Sequence, residues 1–125
     1  MQDFRNLKVW QKAHGLTLDV YRGTKGFPTE ERYGLTSQLR RSCASVPANL
    51  AEGSARGGDV EFARFVTIAA GSASETDYHL LLARDLGYLD ESVYKPLFDQ
   101  LCEVKRMLNT FERTLRSSQP PLAKS

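Results

Sequence analysis

The chain has 125 residues, enough for one domain with a real core and short of the length at which chains usually divide. Hydrophobic residues make up 41% and charged residues 26%, which excludes a disordered composition, and no apolar run approaches the roughly 18 residues of a spanning helix. The net charge of +2 is uneven: residues 1–58 hold 9 Lys/Arg against 5 Asp/Glu and residues 59–125 hold 8 against 10, so the basic character belongs to the first half.

The opening MQDFRNLKVW lacks the apolar core of a secretory signal, and the cytoplasm is the expected compartment. Over residues 7–25, Val9, Ala13, Leu16 and Val20 recur at spacings of four, three and four, with Trp10, Thr17 and Tyr21 widening the stripe; this is the period of an amphipathic helix. GFPTEERYG interrupts it, Gly26 suiting a left-handed helix end and Pro28 being unable to continue one. A second helix starts at Thr29, as N-cap before Glu30 and Glu31, or at Thr36 after Gly34; the pattern fits both. It runs to about Ala55 and contains Pro47, which removes a backbone donor, crowds the carbonyl of Cys43 and predicts a bend.

Gly57 and Gly58 end that helix and Asp59 is the expected N-cap of a third, whose stripe is Phe62, Phe65, Val66, Ala69, Ala73, Thr76, Leu80 and Ala83. Its centre, AAGSAS, has only small side chains, so a neighbouring helix is expected at short range there. Gly87 closes it. Asp90 then caps a fourth helix, with Leu89 and Tyr94 as a hydrophobic staple and Leu97, Leu101, Val104, Leu108, Phe111 and Leu115 as its stripe. Pro96 predicts an irregular first turn or a start nearer Ser92. Four such helices, short Gly/Pro connections and no strand-like alternation predict an all-α fold, an antiparallel up-down-up-down four-helix bundle over residues 1–116 with a flexible tail over 117–125. Cys43 and Cys102 stand alone in helical patterns, where a thiol behaves as a small buried hydrophobe, and no disulfide is expected.

The chain offers no convergent catalytic or metal-binding set. His14 and His79 belong to different helices, and Glu75 with His79 makes a pair rather than a metal site. The Glu-x-x-His pairs of a di-iron bundle, a P-loop, a GxSxG elbow and a CxxC are all missing, and GSARGG reads as a connection. No catalytic residue, metal or cofactor is expected.

Two surfaces stand out. In the second helix, Arg41, Ser45, Asn49, Glu52 and Arg56 form a ridge beside the stripe of Leu35, Leu39, Val46, Leu50 and Gly53. Glu52 and Arg56 are four apart in the favourable order, and Ser45 and Asn49 are placed to bridge to Ser72 or Glu75 of a facing helix. Such rows are costly unless each group finds a partner, and they fix register. Arg40, Arg41, Ser45, Asn49, Glu52, Arg56, Ser72 and Glu75 are the candidate interhelix or subunit interface, with direct ligand binding as the alternative. In the first helix, Arg5, Lys8, Lys12, Arg22 and Lys25 fall roughly opposite the apolar stripe, and only Asp19 opposes them over residues 5–25. Repeated in a symmetric oligomer, they would make an extended positive surface for RNA or DNA; the plainer reading is a solvated face.

The segments LKVWQKA, FPTEERYGLTSQLRRS, PANLAEGSAR, EFARF, IAAGSASE and LGYL, in this order and spacing, resemble the small bacterial proteins of the 23S rRNA intervening-sequence family over about residues 4–115. The matching positions are Trp10, Tyr33, Gly34, Leu35, Gln38, Arg40, Arg41, Ser45, Asn49, Glu52, Gly53, Arg56, Gly71, Ser72 and Glu75; Pro96 departs from the pattern. The resemblance implies a cytoplasmic four-helix bundle assembled as a homo-oligomer, typically a ring of five, and no defined biochemical activity. A related branch, the accessory variability determinant of diversity-generating retroelements, binds nucleic acid and a reverse transcriptase, which extends to this chain only by analogy of fold. The expected function is a non-enzymatic, homo-oligomeric module that engages RNA or DNA through the first helix. The alternative is a module that contacts only protein; membrane association is not expected.

Overall fold

The computed structural model describes residues 3–118. Four helices follow in order, α1 (Lys8–Gly23), α2 (Leu35–Ser54), α3 (Asp59–Asp85) and α4 (Glu91–Ser117), and no strand occurs among the described residues. Each helix packs on its two neighbours in a closed square, α1 on α2 and α4, α3 on α2 and α4, while the diagonal pairs keep their backbones apart. This is the up-down-up-down bundle that the periodicities predict. The α2–α3 pair shares the most extensive contact. Leu16, Leu39, Leu50, Leu80, Leu101 and Leu108 are fully buried at its centre, every helix contributing at least one.

The helix ends differ from the sequence expectation in instructive ways. Gly26 takes no left-handed conformation, because α1 stops earlier at Thr24. The Thr24 hydroxyl donates to Val20 O at 2.8 Å, and Arg40 of α2 donates to Thr24 Oγ1 at 2.8 Å and to Tyr21 O at 3.2 Å, its guanidinium lying 4.6 Å from the Tyr21 ring centre. A fixed cation thereby satisfies the negative end of α1. Neither Thr29 nor Thr36 caps α2. Thr29 opens a 3₁₀ turn through Glu31, Thr36 is the second helical residue, and the cap comes from Glu31, whose Oε1 accepts from Leu35 N at 3.0 Å. The other carboxylate oxygen accepts the Tyr88 hydroxyl at 2.9 Å, tying the α1–α2 connection to the α3–α4 connection.

Asp59 is the first residue of α3, with Gly58 in the N-cap position, so its side chain sits one place too late to cap. Gly87 does close α3: at φ +81 it lets its own N–H reach Arg84 O and that of Tyr88 reach Ala83 O, both at 2.9 Å. Asp90 occupies the N-cap of α4 without a side-chain hydrogen bond, and the helix runs from Glu91 straight through Pro96, so the first turn is regular and no later start is needed. Pro96 itself is exposed. α4 also outlasts the predicted domain end at 116: Ser117 is helical, and the Ser118 hydroxyl bonds Leu115 O and the Asp59 carboxylate. Residues 119–125 of the predicted tail lie outside the described residues.

α2 continues through Pro47, which is buried. The carbonyl that Pro47 leaves without an amide partner, Cys43 O, lies 3.4 Å from the Thr17 hydroxyl of α1, which also donates to Ala13 O at 2.8 Å. Burial pushes the Cys43 thiol up to about 11, and its Sγ sits 3.7 Å from the same hydroxyl, so the thiol stays protonated and serves packing. Both cysteines are free.

A neighbouring helix does come close at AAGSAS, where Ala69 and Ala73 are fully buried and Ser72 Oγ stands 2.8 Å from Ser45 Oγ of α2, and the backbone approach is tight at Gly53 as well. A Cβ at Gly53 would stand 2.7 Å from Phe65 Cβ and 2.8 Å from Phe62 Cδ1, whereas a Cβ at Gly71, within AAGSAS, would meet open space. Gly53→Ala is expected to destabilise by about 1–2 kcal/mol, the overpacking cost exceeding the gain in helix propensity, and Gly71→Ala to stabilise the dissociated single chain by about 0.5–1 kcal/mol at dilutions where single chains prevail. Urea unfolding of the two variants checks this; equal effects of the same sign would contradict it.

Candidate functional site

The ridge predicted on α2 meets α3 along a polar seam. Ser45 Oγ and Ser72 Oγ stand 2.8 Å apart, one of the expected crossings, and Glu75 is taken by Arg41, a pair that the spacing had not suggested. Asn49 does not cross; its amide donates back to Ser45 O at 2.8 Å and Ser45 Oγ at 3.0 Å. Glu52 and Arg56 pair with each other at 2.7 Å on the surface, and Arg56 also lies over the Phe65 ring. Arg40, grouped with the ridge in sequence, faces α1 instead. Arg41, Ser45, Asn49, Glu52 and Arg56 thus all find partners inside one protomer.

Deeper in the seam lies a cluster that the ridge did not include. Ser42 and Thr76 are both fully buried, and Thr76 Oγ1 lies 3.0 Å from Ser42 Oγ and 2.8 Å from Ser72 O. Ser42 Oγ in turn lies 3.2 Å from His79 Nδ1, and His79 Nε2 lies 3.8 Å from the Glu75 carboxylate. The signal was present, since Ser42 fills the core-facing place between Leu39 and Val46 and Thr76 fills the one between Ala73 and Leu80. A hydroxyl at the same level of two facing stripes implies that the two hydroxyls meet.

A serine, an imidazole and a carboxylate in series resemble a relay for activating a nucleophile. With no exposed surface on Ser42, no substrate atom can reach its oxygen. The hydroxyl also lies 3.2 Å from Leu39 O, so the arrangement serves helix register. Among the described residues, no group of three His, Cys, Asp or Glu side chains is placed to hold a metal, and no buried side-chain polar atom lacks a hydrogen bond.

The basic surface is altered by its neighbours. Lys12 pairs with Glu103 of α4 at 3.4 Å, Arg22 with Asp19 at 2.9 Å, and Arg5 with Asp3 at 3.3 Å. Arg5 and Lys25 also lie outside α1. Of the five predicted cations, Lys8 and Lys25 have no acidic partner among the described residues. Lys8 stands on a groove between the start of α1 and the second half of α4, about 490 Å³ in volume, where Leu7, Val9, Met107 and Phe111 line the apolar part and Arg106 the other rim.

α3 has a second apolar side. Its exposed positions from 67 to 81 are Thr67, Ile68, Gly71, Ser74, Tyr78 and Leu81, none of them charged. Val60 and Tyr78 are 63% and 58% exposed. Ile68, Tyr78 and Leu81 are the apolar members of this row, and the side chains of Glu75 and Asp77, 40% and 35% exposed, border it. No helix among the described residues is long and apolar enough to cross a membrane.

The profile of the 23S rRNA-intervening sequence protein family matches residues 5–110. The chain belongs to that family. A protein of unknown function from the S23 ribosomal protein family of Bacteroides thetaiotaomicron, with a crystal structure at 1.70 Å, is similar at TM-score 0.75 and 21% identity over 84% of this chain and 98% of its own. At that identity the likeness establishes the shared fold. No curated protein matches the chain.

The seam makes a pH prediction. Burial holds the His79 imidazole below its usual range and Arg41 acts in the same direction, while the Glu75 carboxylate and a backbone hydrogen bond to Gln38 oppose them. The folded chain therefore takes up this proton less readily than the unfolded chain, so the stability linked to His79 is present above about pH 6.5 and is lost as the pH falls below it. Urea unfolding between about pH 8 and 5 should show that loss, and His79→Gln should flatten it. A wild-type chain that gains stability across this interval would contradict the assignment.

Proposed function

We propose that this protein is a non-enzymatic assembly module, a bundle that associates with copies of itself through the outward face of α3 and acts by contact with other macromolecules. The observation that carries the reading is the charge-free exposed row from Thr67 to Leu81, on a helix whose other side is fully committed to the core. Family resemblance supplies the form of the assembly, a ring of five in the cytoplasm. The completeness of the α2–α3 seam within one protomer supports α3's outer side, rather than the Arg41 to Arg56 ridge, as the contact between copies.

Ile68→Glu and Tyr78→Glu place a charge in that row without touching the buried stripe. Each is expected to lower the mass seen by sedimentation velocity to that of one chain while the helical circular dichroism is kept, because an unpaired charge at an interface core costs about 2–5 kcal/mol. An undiminished mass across a dilution series would sink the assembly reading.

A second reading, RNA or DNA binding, is supported by cations that remain unpaired, Lys8 and Lys25 from the predicted set and Arg106 from α4. The pairing of Lys12, Arg22 and Arg5 reduces the surface on which it rests, which favours protein contact over nucleic acid. Fluorescence anisotropy with single- and double-stranded RNA and DNA at about 50 mM salt decides between them. Binding that weakens steeply toward physiological salt and drops with Lys8→Glu would establish the nucleic-acid reading, and no binding under these conditions would remove it.

A further inference from the structure

We infer that the groove between the start of α1 and the second half of α4 is the seat of a protein partner, and that it takes a short amphipathic helix carrying apolar anchors between acidic flanks. The inference rests on the protein-contact reading above and names the partner's chemistry. Leu7, Val9, Met107 and Phe111 give the groove an apolar floor, and Lys8 and Arg106 stand on its two rims. Arg113, two turns along α4 from Arg106, is exposed and without an acidic partner among the described residues. The acids nearest in sequence to these cations are already engaged: Asp3 with Arg5, Glu103 with Lys12 and Glu112 with Arg116. The rim thus presents positive charge that no acidic group among the described residues pairs with.

Shape and charge together select the occupant. On α4 the groove runs from Arg106 to Thr114, nine residues with a rise of about 12 Å, which is just over two turns of helix and matches apolar anchors at i, i+4 and i+7. The charge-free α3 face of a second copy would bury Lys8 and Arg106 without partners, a costly arrangement. A nucleic-acid strand would need ring faces on which bases can stack. Here the Phe111 ring is half-buried and set edge-on to Phe62, with centroids 5.1 Å apart. An acidic, apolar-anchored helix leaves neither charge nor apolar surface unmatched.

The test uses the full chain and two fluorescein-labelled peptides with Leu at i, i+4 and i+7, one flanked by Glu and its twin by Lys, read by anisotropy. The Glu peptide is expected to bind and its Lys twin to bind at least about tenfold more weakly, as the sum of several exposed charge pairs predicts. Lys8→Glu with Arg106→Glu should invert that preference, and Met107→Gln should weaken both peptides. Inversion requires a folded protein, so it separates lost recognition from lost structure. Equal binding of the two peptides, no binding of either, or a preference that survives the double reversal would overturn the inference. A fall in sedimentation mass on the double reversal would assign the groove to a second copy and overturn it as well. Ile68→Glu, on the far side of the bundle, should leave peptide binding intact, so failure of the assembly reading and failure of this one are told apart.

Discussion

The closeness of α2 to α3 is the constraint from which the rest follows. At Gly53 the α2 backbone comes so near the Phe62 and Phe65 side chains that no Cβ fits between them. That distance brings short side chains on the two helices within hydrogen-bonding range: Ser42 to Thr76, Ser45 to Ser72, and one layer out Arg41 to Glu75. Serine and threonine reach only a little way, so the seam forms at one separation and one register. Sliding either helix by a turn would leave Ser42 only Leu39 O and Thr76 only Ser72 O, each on its own helix, and would lose the bonds between helices at about 0.5–1.5 kcal/mol each.

The helices themselves were plain from periodicity, because each buries a stripe that recurs at three and four residues and the helix stops are marked by Gly or Pro. Their ends were harder to read, and the reason is physical. Caps at Thr24 and Leu35 depend on groups distant in sequence or set by the turn: Arg40 from another helix completes one, and Glu31, four residues before the amide it serves, makes the other. Propensity favours Thr29 as a cap, but the loop geometry that aims Glu31 at Leu35 is set by Tyr88, 57 residues later. The seam was half legible. Ser45 could be paired with Ser72 by helix geometry, whereas Glu75 goes to Arg41 rather than to Asn49 or Ser45, and Ser42 and Thr76 hide among apolar neighbours and declare themselves only when the two stripes are laid level.

The charged residues show the same division. A helical wheel places Lys8, Lys12 and Arg22 on one side of α1, and that side proves to face α4, so Glu103 takes Lys12 and Gln100 joins Asp19 at 3.0 Å beside Arg22. The excess of cations in the first half of the sequence and of anions in the second is thereby partly consumed inside the bundle. Lys8 and Lys25 stay unpaired among the described residues, one at each end of α1, and at the Lys8 end α4 contributes Arg106 rather than an acid. A cationic surface inferred from one helix is a statement about that helix alone, and packing decides how much of it survives.

Of Gly15, Gly53 and Gly71, the glycines in helix interiors, Gly53 alone would meet a neighbour within 4 Å if it carried a Cβ. Gly in a helix costs about 0.5–1 kcal/mol relative to Ala, a cost that a close contact can offset. At Gly53 that contact lies within the protomer, in the two phenylalanines. At Gly71 it does not, since a side chain there would meet nothing in one chain, and the neighbouring exposed positions of α3 are Ile68, Ser74 and Tyr78. The bundle gains nothing from this glycine by itself. An uncharged row with a small residue at its middle is a surface that another backbone can approach closely, as the proposed contact between copies requires.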